Sequence, residues 1–153
     1  MAPILLESVI LPAGVSLMHA FQLTSFARQT GQARRKFDVP YPAITGDERF
    51  MRYFRAQQNT IEFAPIFYPL LWSAALFCHP VPAALVGLVY LYGRSQYFKG
   101  YVKEVKGRLF GFGVCVNALK LLMAMSVGGI AHFALVTYAG VDVKRMVMAR
   151  LNL

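Results

Sequence analysis

Charge is scarce in this sequence. Only 15% of its 153 residues are Asp, Glu, Lys or Arg, while 57% are hydrophobic. A soluble domain carries about 25% charged residues. With a mean hydropathy of +0.47, the deficit excludes an ordinary soluble domain and points to a membrane protein. Acids are scarcer than bases, seven against sixteen, which leaves a net charge of +9. A basic balance can signal nucleic acid. Here the bases fall in two clusters between long apolar runs, so they read as a topology signal and no nucleic-acid partner is expected. Cysteine is limited to Cys78 and Cys115, in separate apolar segments and without metal-ligand spacing. Both are expected to be packed, inert thiols. His19, His79 and His132 are scattered, so no metal site is expected. Strand-like alternation, long linkers and internal repeats are also missing. The expectation is one all-α domain over residues 1–153. The opening "MAPILLESVILPAG" lacks a basic n-region and a small-residue cleavage site, so no cleaved signal peptide is expected.

What is present is four apolar segments, at about 4–27, 63–78, 83–101 and 109–139. The first is interrupted by Glu7, His19 and Gln22 and contains Pro12. With polar extensions, the spans are expected at about 4–35, 48–78, 82–104 and 108–140. Each is long enough for a bilayer core of about 30 Å, and "HPVP" at 79–82 reads as a breaker between the second and third. Seven bases lie within residues 28–55 and five within 94–108, with none between the second and third spans. Both basic junctions should therefore face the cytosol and both termini the other side. The tail cations Lys144, Arg145 and Arg150 oppose that orientation mildly.

The second helix is the unusual one. At about 31 residues it would be roughly 46 Å long, so its head must stand at or above the interface. That head carries Arg52, Arg55, Asn59 and Glu62, spaced 3, 4 and 3. At about 100° per residue they fall within an arc of roughly 80°, with Gln57 and Gln58 beside it. Guanidinium forks bind carboxylates, and a carboxylate binds an ammonium, so this face suits a ligand bearing both groups. On the third helix Arg94, Tyr97 and Tyr101 share an arc, and Arg108 opens the fourth. A topology flank of snorkelling arginines and belt tyrosines needs neither asparagine nor glutamate in helical register.

"RAQQN" with a glutamate three residues on, "YLYGRSQYFKGY", "FARQTGQARRKFDVPYP", "LLWSAALF" and "GGIAHF" together resemble the membrane-associated eicosanoid and glutathione metabolism (MAPEG) family. The branch is that of microsomal glutathione transferases and leukotriene C4 synthase. "RAQQN" and "YLYGR" favour the type 2 transferase, "NTIE" and "KFDVPYP" the type 3. The resemblance implies an all-α, four-helix transmembrane bundle, assembled as a homotrimer with sites between neighbouring subunits. It implies glutathione as cosubstrate near the cytosolic face, a lipid electrophile as the second substrate, and residence in the endoplasmic reticulum and nuclear envelope. By the same resemblance Arg34, Arg55, Gln57, Asn59, Glu62, Tyr97 and Tyr101 would bind glutathione, with Glu62 taking its amine. Arg108 would hold the thiolate, and Arg35 would act on the leaving oxygen of the lipid. A free thiol titrates near about 8.5. Lowering that to about 6.5 needs roughly 2.7 kcal/mol, within reach of one desolvated arginine.

The chain departs from the family pattern in four places. "FMR" replaces "FER", Asn59-Thr60 replaces asparagine-cysteine, and Phe63 replaces a tyrosine. Lys120 stands where an apolar wall is expected, about 12 residues or roughly 18 Å into the fourth helix. A charge at that depth is costly; Lys120 is expected either to snorkel or to bind a carboxylate on the substrate. Gly111, Gly113, Gly128 and Gly129 are expected to allow close helix approach, and Asn117 either to bond between helices or to stand at the edge of the site. The expected activity is glutathione transfer to lipid electrophiles, with hydroperoxide reduction beside it. The alternatives are a non-enzymatic lipid-binding scaffold, which the presence of Arg34, Arg55 and Arg108 disfavours, and a structural or channel-like bundle.

Overall fold

The structure is a computed structural model and describes residues 6–140. Four helices fill it: α1 (Leu6–Lys36), α2 (Glu48–Phe77), α3 (Pro80–Lys103) and α4 (Arg108–Ala139). No strand occurs among the described residues. The tail cations Lys144, Arg145 and Arg150 lie outside them.

Local chemistry sets the boundaries. Asp47 caps α2, its Oδ1 accepting the Arg49 N–H at 2.8 Å. The proline-rich "HPVP" segment starts α3 as well as ending α2. Pro80 occupies the first helical position, where its missing N–H costs nothing, and His79 Nδ1 accepts the Val81 N–H at 3.2 Å. α4 stops at Gly140, whose φ of 65° is the left-handed conformation glycine adopts freely.

α2 and α3 form the inner pair. α1 packs against both from one side and α4 packs against both from the other, and α1 and α4 do not meet among the described residues. The central core joins Phe67, Leu71 and Ala74 of α2 to Ala83 and Tyr90 of α3 and to Cys115 and Leu122 of α4. The polar interruptions of α1 turn inwards. His19 Nδ1 lies 3.1 Å from the Tyr68 hydroxyl, and Gln22 Nε2 donates to Leu91 O and Ser95 Oγ, both at 2.8 Å. Large apolar side chains such as Phe21, Phe110 and Phe133 turn outwards and are exposed. Water punishes such a surface and lipid accepts it.

α1, α2 and α4 are long and apolar enough to cross a membrane. α3 has the length, at 24 residues, but falls short on apolarity because Arg94, Ser95 and Gln96 interrupt it. Four helices were expected and four are present; the polar side chains that make α3 less apolar, Tyr90, Arg94 and Tyr97, are buried within the bundle.

Three smaller expectations divide. A Cβ on Gly111 would collide with the Tyr97 backbone, and one on Gly129 would stand 2.6 Å from the Phe77 carbonyl, whereas Gly113 and Gly128 face open space. Cys115 is buried but Cys78, just past the end of α2, is exposed. Asn117 bonds to no other helix; it lies exposed on α4 beside Val86 and Val89 of α3.

Candidate functional site

The polar arc of α2 turns towards α3 at the basic end of the bundle. Arg55, Gln58, Asn59 and Glu62 of α2 and Tyr97 and Tyr101 of α3 line a cavity of about 180 Å³. Arg55 Nη1 donates to Gln58 Oε1 at 3.2 Å, which orients the exposed guanidinium along the cavity edge. The Tyr97 and Tyr101 rings stand 5.8 Å apart. Arg108, first residue of α4, holds its guanidinium 5.0 Å from the Tyr101 ring centre.

Backbone contact places that arginine. α3 and α4 are joined by residues 104–107 alone. Within the turn, Glu104 N–H donates to Gly100 O at 3.0 Å and Gly107 N–H donates to Glu104 O at 3.1 Å. A Cβ on Gly100 or Gly107 would run into the backbone of the other, and Gly111 meets Tyr97 in the same way. The head of α4 is thus pressed directly onto the stretch of α3 that carries both tyrosines. The N–H groups of its first turn lack a side-chain cap, so the helix dipole adds positive potential beside Arg108.

Arg94 completes the polar seam, and its part was missed in the sequence reading. It has no exposed surface. Its Nη1 donates to Asn59 Oδ1 at 2.9 Å and its Nε to the Tyr90 hydroxyl at 3.1 Å. The guanidinium lies 4.2 Å from the Phe63 ring centre, and Nη2 is buried without a partner. A signal existed: Arg94 shares the helical arc of Tyr97 and Tyr101. Arg55 and Glu62 line the cavity, while Arg94 reaches it through Asn59 and Arg108 through Tyr101, so three guanidinium groups and one carboxylate belong to this region. The potential is positive, with one spot suited to a cation.

Phe63 marks a change of character. On its far side Phe63, Ile66, Leu70, Leu119, Lys120 and Met123 help to line an apolar groove of about 320 Å³ between α2 and α4. Phe112 meets Phe63 edge-on, with ring centres 6.1 Å apart, and lies 6.3 Å from Tyr97. Two aromatic rings therefore connect the polar cavity to the apolar groove.

Not every expected residue gathers here. Arg55, Asn59, Glu62, Tyr97 and Tyr101 line one cavity and Arg108 adjoins it. Gln57 is half-buried outside that cavity, and Gln58 lines it instead. Arg34 is nearly buried at the end of α1. Its Nη1 donates to Ala43 O at 2.6 Å and Pro40 O at 3.2 Å, and its guanidinium lies 4.5 and 4.6 Å from the Tyr41 and Phe50 ring centres. Arg35 is exposed, and it lines with Arg34, Asp38 and Tyr41 a separate shallow cavity of about 380 Å³. Among the described residues no cluster of His, Cys, Asp and Glu could hold a metal ion.

The chain is similar to known proteins over most of its length. The chain is 44% identical over 136 residues to human microsomal glutathione S-transferase 2, covering 89% of the chain and 92% of that relative. It is 42% identical over 136 residues to the bovine protein of the same name, covering 89% and 93%. Against bovine leukotriene C4 synthase it is 41% identical over 128 residues, covering 83% and 85%. Residues 12–128 match the family model described as the MAPEG family, and with most of its length matched in this way the chain belongs to the MAPEG family.

Proposed function

We propose that this chain is an integral membrane glutathione transferase that joins the glutathione thiolate to lipid electrophiles. The observation that carries the reading is the cavity in which Arg55, Asn59, Glu62, Tyr97 and Tyr101 meet beside Arg108. Glutathione carries two carboxylates, one ammonium and one thiol. Arg55 suits a carboxylate, Glu62 the ammonium and Arg108 the sulfur. The relatives' names, glutathione transferase and leukotriene C4 synthase, support the same chemistry.

Arg108 lowers the thiol's affinity for its proton, which leaves to water. The thiolate attacks an electrophilic carbon of the lipid, such as that of an epoxide. The S–C bond forms, the C–O bond breaks, and the alkoxide takes a proton from water. Arg35 stabilises the developing oxyanion as a fixed cation, since a guanidinium does not deprotonate. With a hydroperoxide the thiolate attacks oxygen and the O–O bond breaks, releasing the alcohol. A second glutathione then yields the disulfide and water. Holding both reactants at the head of the bundle supplies proximity.

The cavity within one chain is small. About 180 Å³ is less than the roughly 300–1,000 Å³ of typical ligand sites, and Arg34, Arg35 and Gln57 do not line it. We therefore place the site between neighbours of a homotrimer, in which the second copy brings those residues to complete it. All four helices cross the membrane, α3 shielded by its neighbours. The basic end faces the cytosol, and the membrane is that of the endoplasmic reticulum and nuclear envelope.

The test is a glutathione titration of the purified protein, following thiolate ultraviolet absorbance at neutral pH, with Arg108→Ala alongside. Wild type should show the thiolate signal, and Arg108→Ala should bind glutathione without it. No glutathione binding by folded wild type would overturn the reading in favour of a lipid-binding scaffold.

A further inference from the structure

The groove between α2 and α4 holds a charge that the proposed reaction does not use. Among the described residues Lys120 is the only ionisable side chain lining it; Phe63, Ile66, Leu70, Leu119 and Met123 are apolar. Among the described residues no carboxylate lies within salt-bridge distance of it. Asp38, Asp47, Glu48 and Glu104 all belong to the connections and helix ends at the basic end of the bundle, and Glu62 lines the polar cavity. Lys120 is twelve residues beyond Arg108 (120 − 108) on one continuous helix, roughly 18 Å along its axis. Lys120 is exposed on α4, and in a bilayer core of about 30 Å that position is deep in the apolar layer, where an unpaired cation is costly.

We propose that Lys120 selects the lipid substrate by its charge: the groove takes an acyl chain that ends in a carboxylate, and the Lys120 ammonium pairs with that end. The inference rests on the transferase reading, which fixes the reactive end of the lipid beside Arg108. From there the chain passes Phe63 and Phe112, whose rings join the polar cavity to the groove, and runs along α4 to Lys120. The carboxylate and the electrophilic carbon are then separated by most of the chain's length. The charge complementarity is specific: one cation, no internal acid, and otherwise apolar walls. A membrane phospholipid offers an anion too, but its phosphate sits at the headgroup level, about 15 Å from the bilayer centre, so the fatty-acyl carboxylate is the better match.

The experiment uses the full chain, purified in detergent, with a fluorescent polyene fatty acid and its methyl ester as probes. Binding is measured without glutathione at about pH 8.5, well above the carboxylate range. The acid should bind wild type about tenfold more tightly than the ester, the scale of a charge-assisted hydrogen bond. In Lys120→Leu that preference should vanish while the ester still binds, which also shows that the variant is folded; Lys120→Arg should keep the preference. Equal binding of acid and ester to wild type would overturn the inference. So would a preference that survives in Lys120→Leu, or Lys120-dependent displacement of the acid probe by phosphatidate more effectively than by a plain fatty acid. In a second arm, wild type is given glutathione with an epoxy fatty acid, its ester, and a small uncharged electrophile. Conjugation of all three with no preference for the acid sinks the role of Lys120 and leaves the transferase. An acid preference in binding with no conjugation of any electrophile sinks the transferase and leaves the carboxylate site.

Discussion

Two buried arginines in this molecule solve the same problem differently. At the α1–α2 junction, Arg34 gives its hydrogen bonds to backbone carbonyls of the 37–43 loop and lies between Tyr41 and Phe50. In the α2–α3 seam, Arg94 gives its bonds to the side chains of Asn59 and Tyr90 and keeps one nitrogen unpartnered. Among the described residues neither has a carboxylate partner. Backbone carbonyls belong to the fold and cannot turn away, so Arg34 ties a loop down. Side-chain acceptors can exchange partners, so Arg94 links the helix core to the polar cavity that Asn59 lines. Position in the same basic flank does not make two arginines equivalent; the acceptors they meet do.

Replacing Arg94 should have the larger effect. Arg94→Leu strands Asn59 Oδ1 and the Tyr90 hydroxyl in a buried seam, at a cost of about 2–3 kcal/mol for the two orphaned groups. The thermal midpoint in detergent should fall clearly, and glutathione affinity with it, because Asn59 loses the bond that orients its amide. Unchanged affinity would mean that Arg94 is structural only and the contrast with Arg34 is empty.

Arg34→Lys keeps the charge but loses the planar stacking and the fork of donors. The expected loss is about 1 kcal/mol, seen as a smaller drop in midpoint. Glutathione affinity separates its two roles. A fall would show that Arg34 serves a neighbour's site as well as its own loop, and an unchanged value would confine it to the loop.

The smallest effect belongs to the far end of the same connection. Hydrogen bonds from Arg49 hold the Asp47 carboxyl down to about 2, from an ordinary value of 3.8. Because the folded-state value is depressed, the stabilisation is complete above about 4 and is lost as pH falls through about 2. The pair is exposed, so its contribution is slight. Asp47→Asn should melt marginally below wild type at neutral pH, and the two should converge on acidification. A gap that persists at low pH would show that the cap works through something other than charge.

Much of this was legible in advance because helices have a period. The α2 arc placed Asn59 and Glu62 beside Arg55, and the α3 arc placed Tyr97 beside Tyr101. Period does not report which neighbour a face meets. Gly111 and Gly113 look alike in sequence, yet one touches a backbone and the other touches nothing. Gln57 and Gln58 differ by one residue, or about 100° of rotation, and only the second lines the cavity. Arg94 was placed on the arc of Tyr97 and Tyr101 but not among the site residues, because burial of a lone cation leaves no compositional trace. Arg34 and Arg35 share the basic junction with Arg55, but the loop after α1 gives them a surface of their own.

The turn between α3 and α4 has a consequence for precision. Where Gly100 and Gly107 meet, main chain rests on main chain, with no side chain between them to compress or swing aside. Such a joint acts as a gauge block: it fixes the gap between Tyr101 and Arg108 with the stiffness of the polypeptide itself. A tilt of the helices should leave that setting unchanged, so the geometry around Arg108 is calibrated by the joint between α3 and α4.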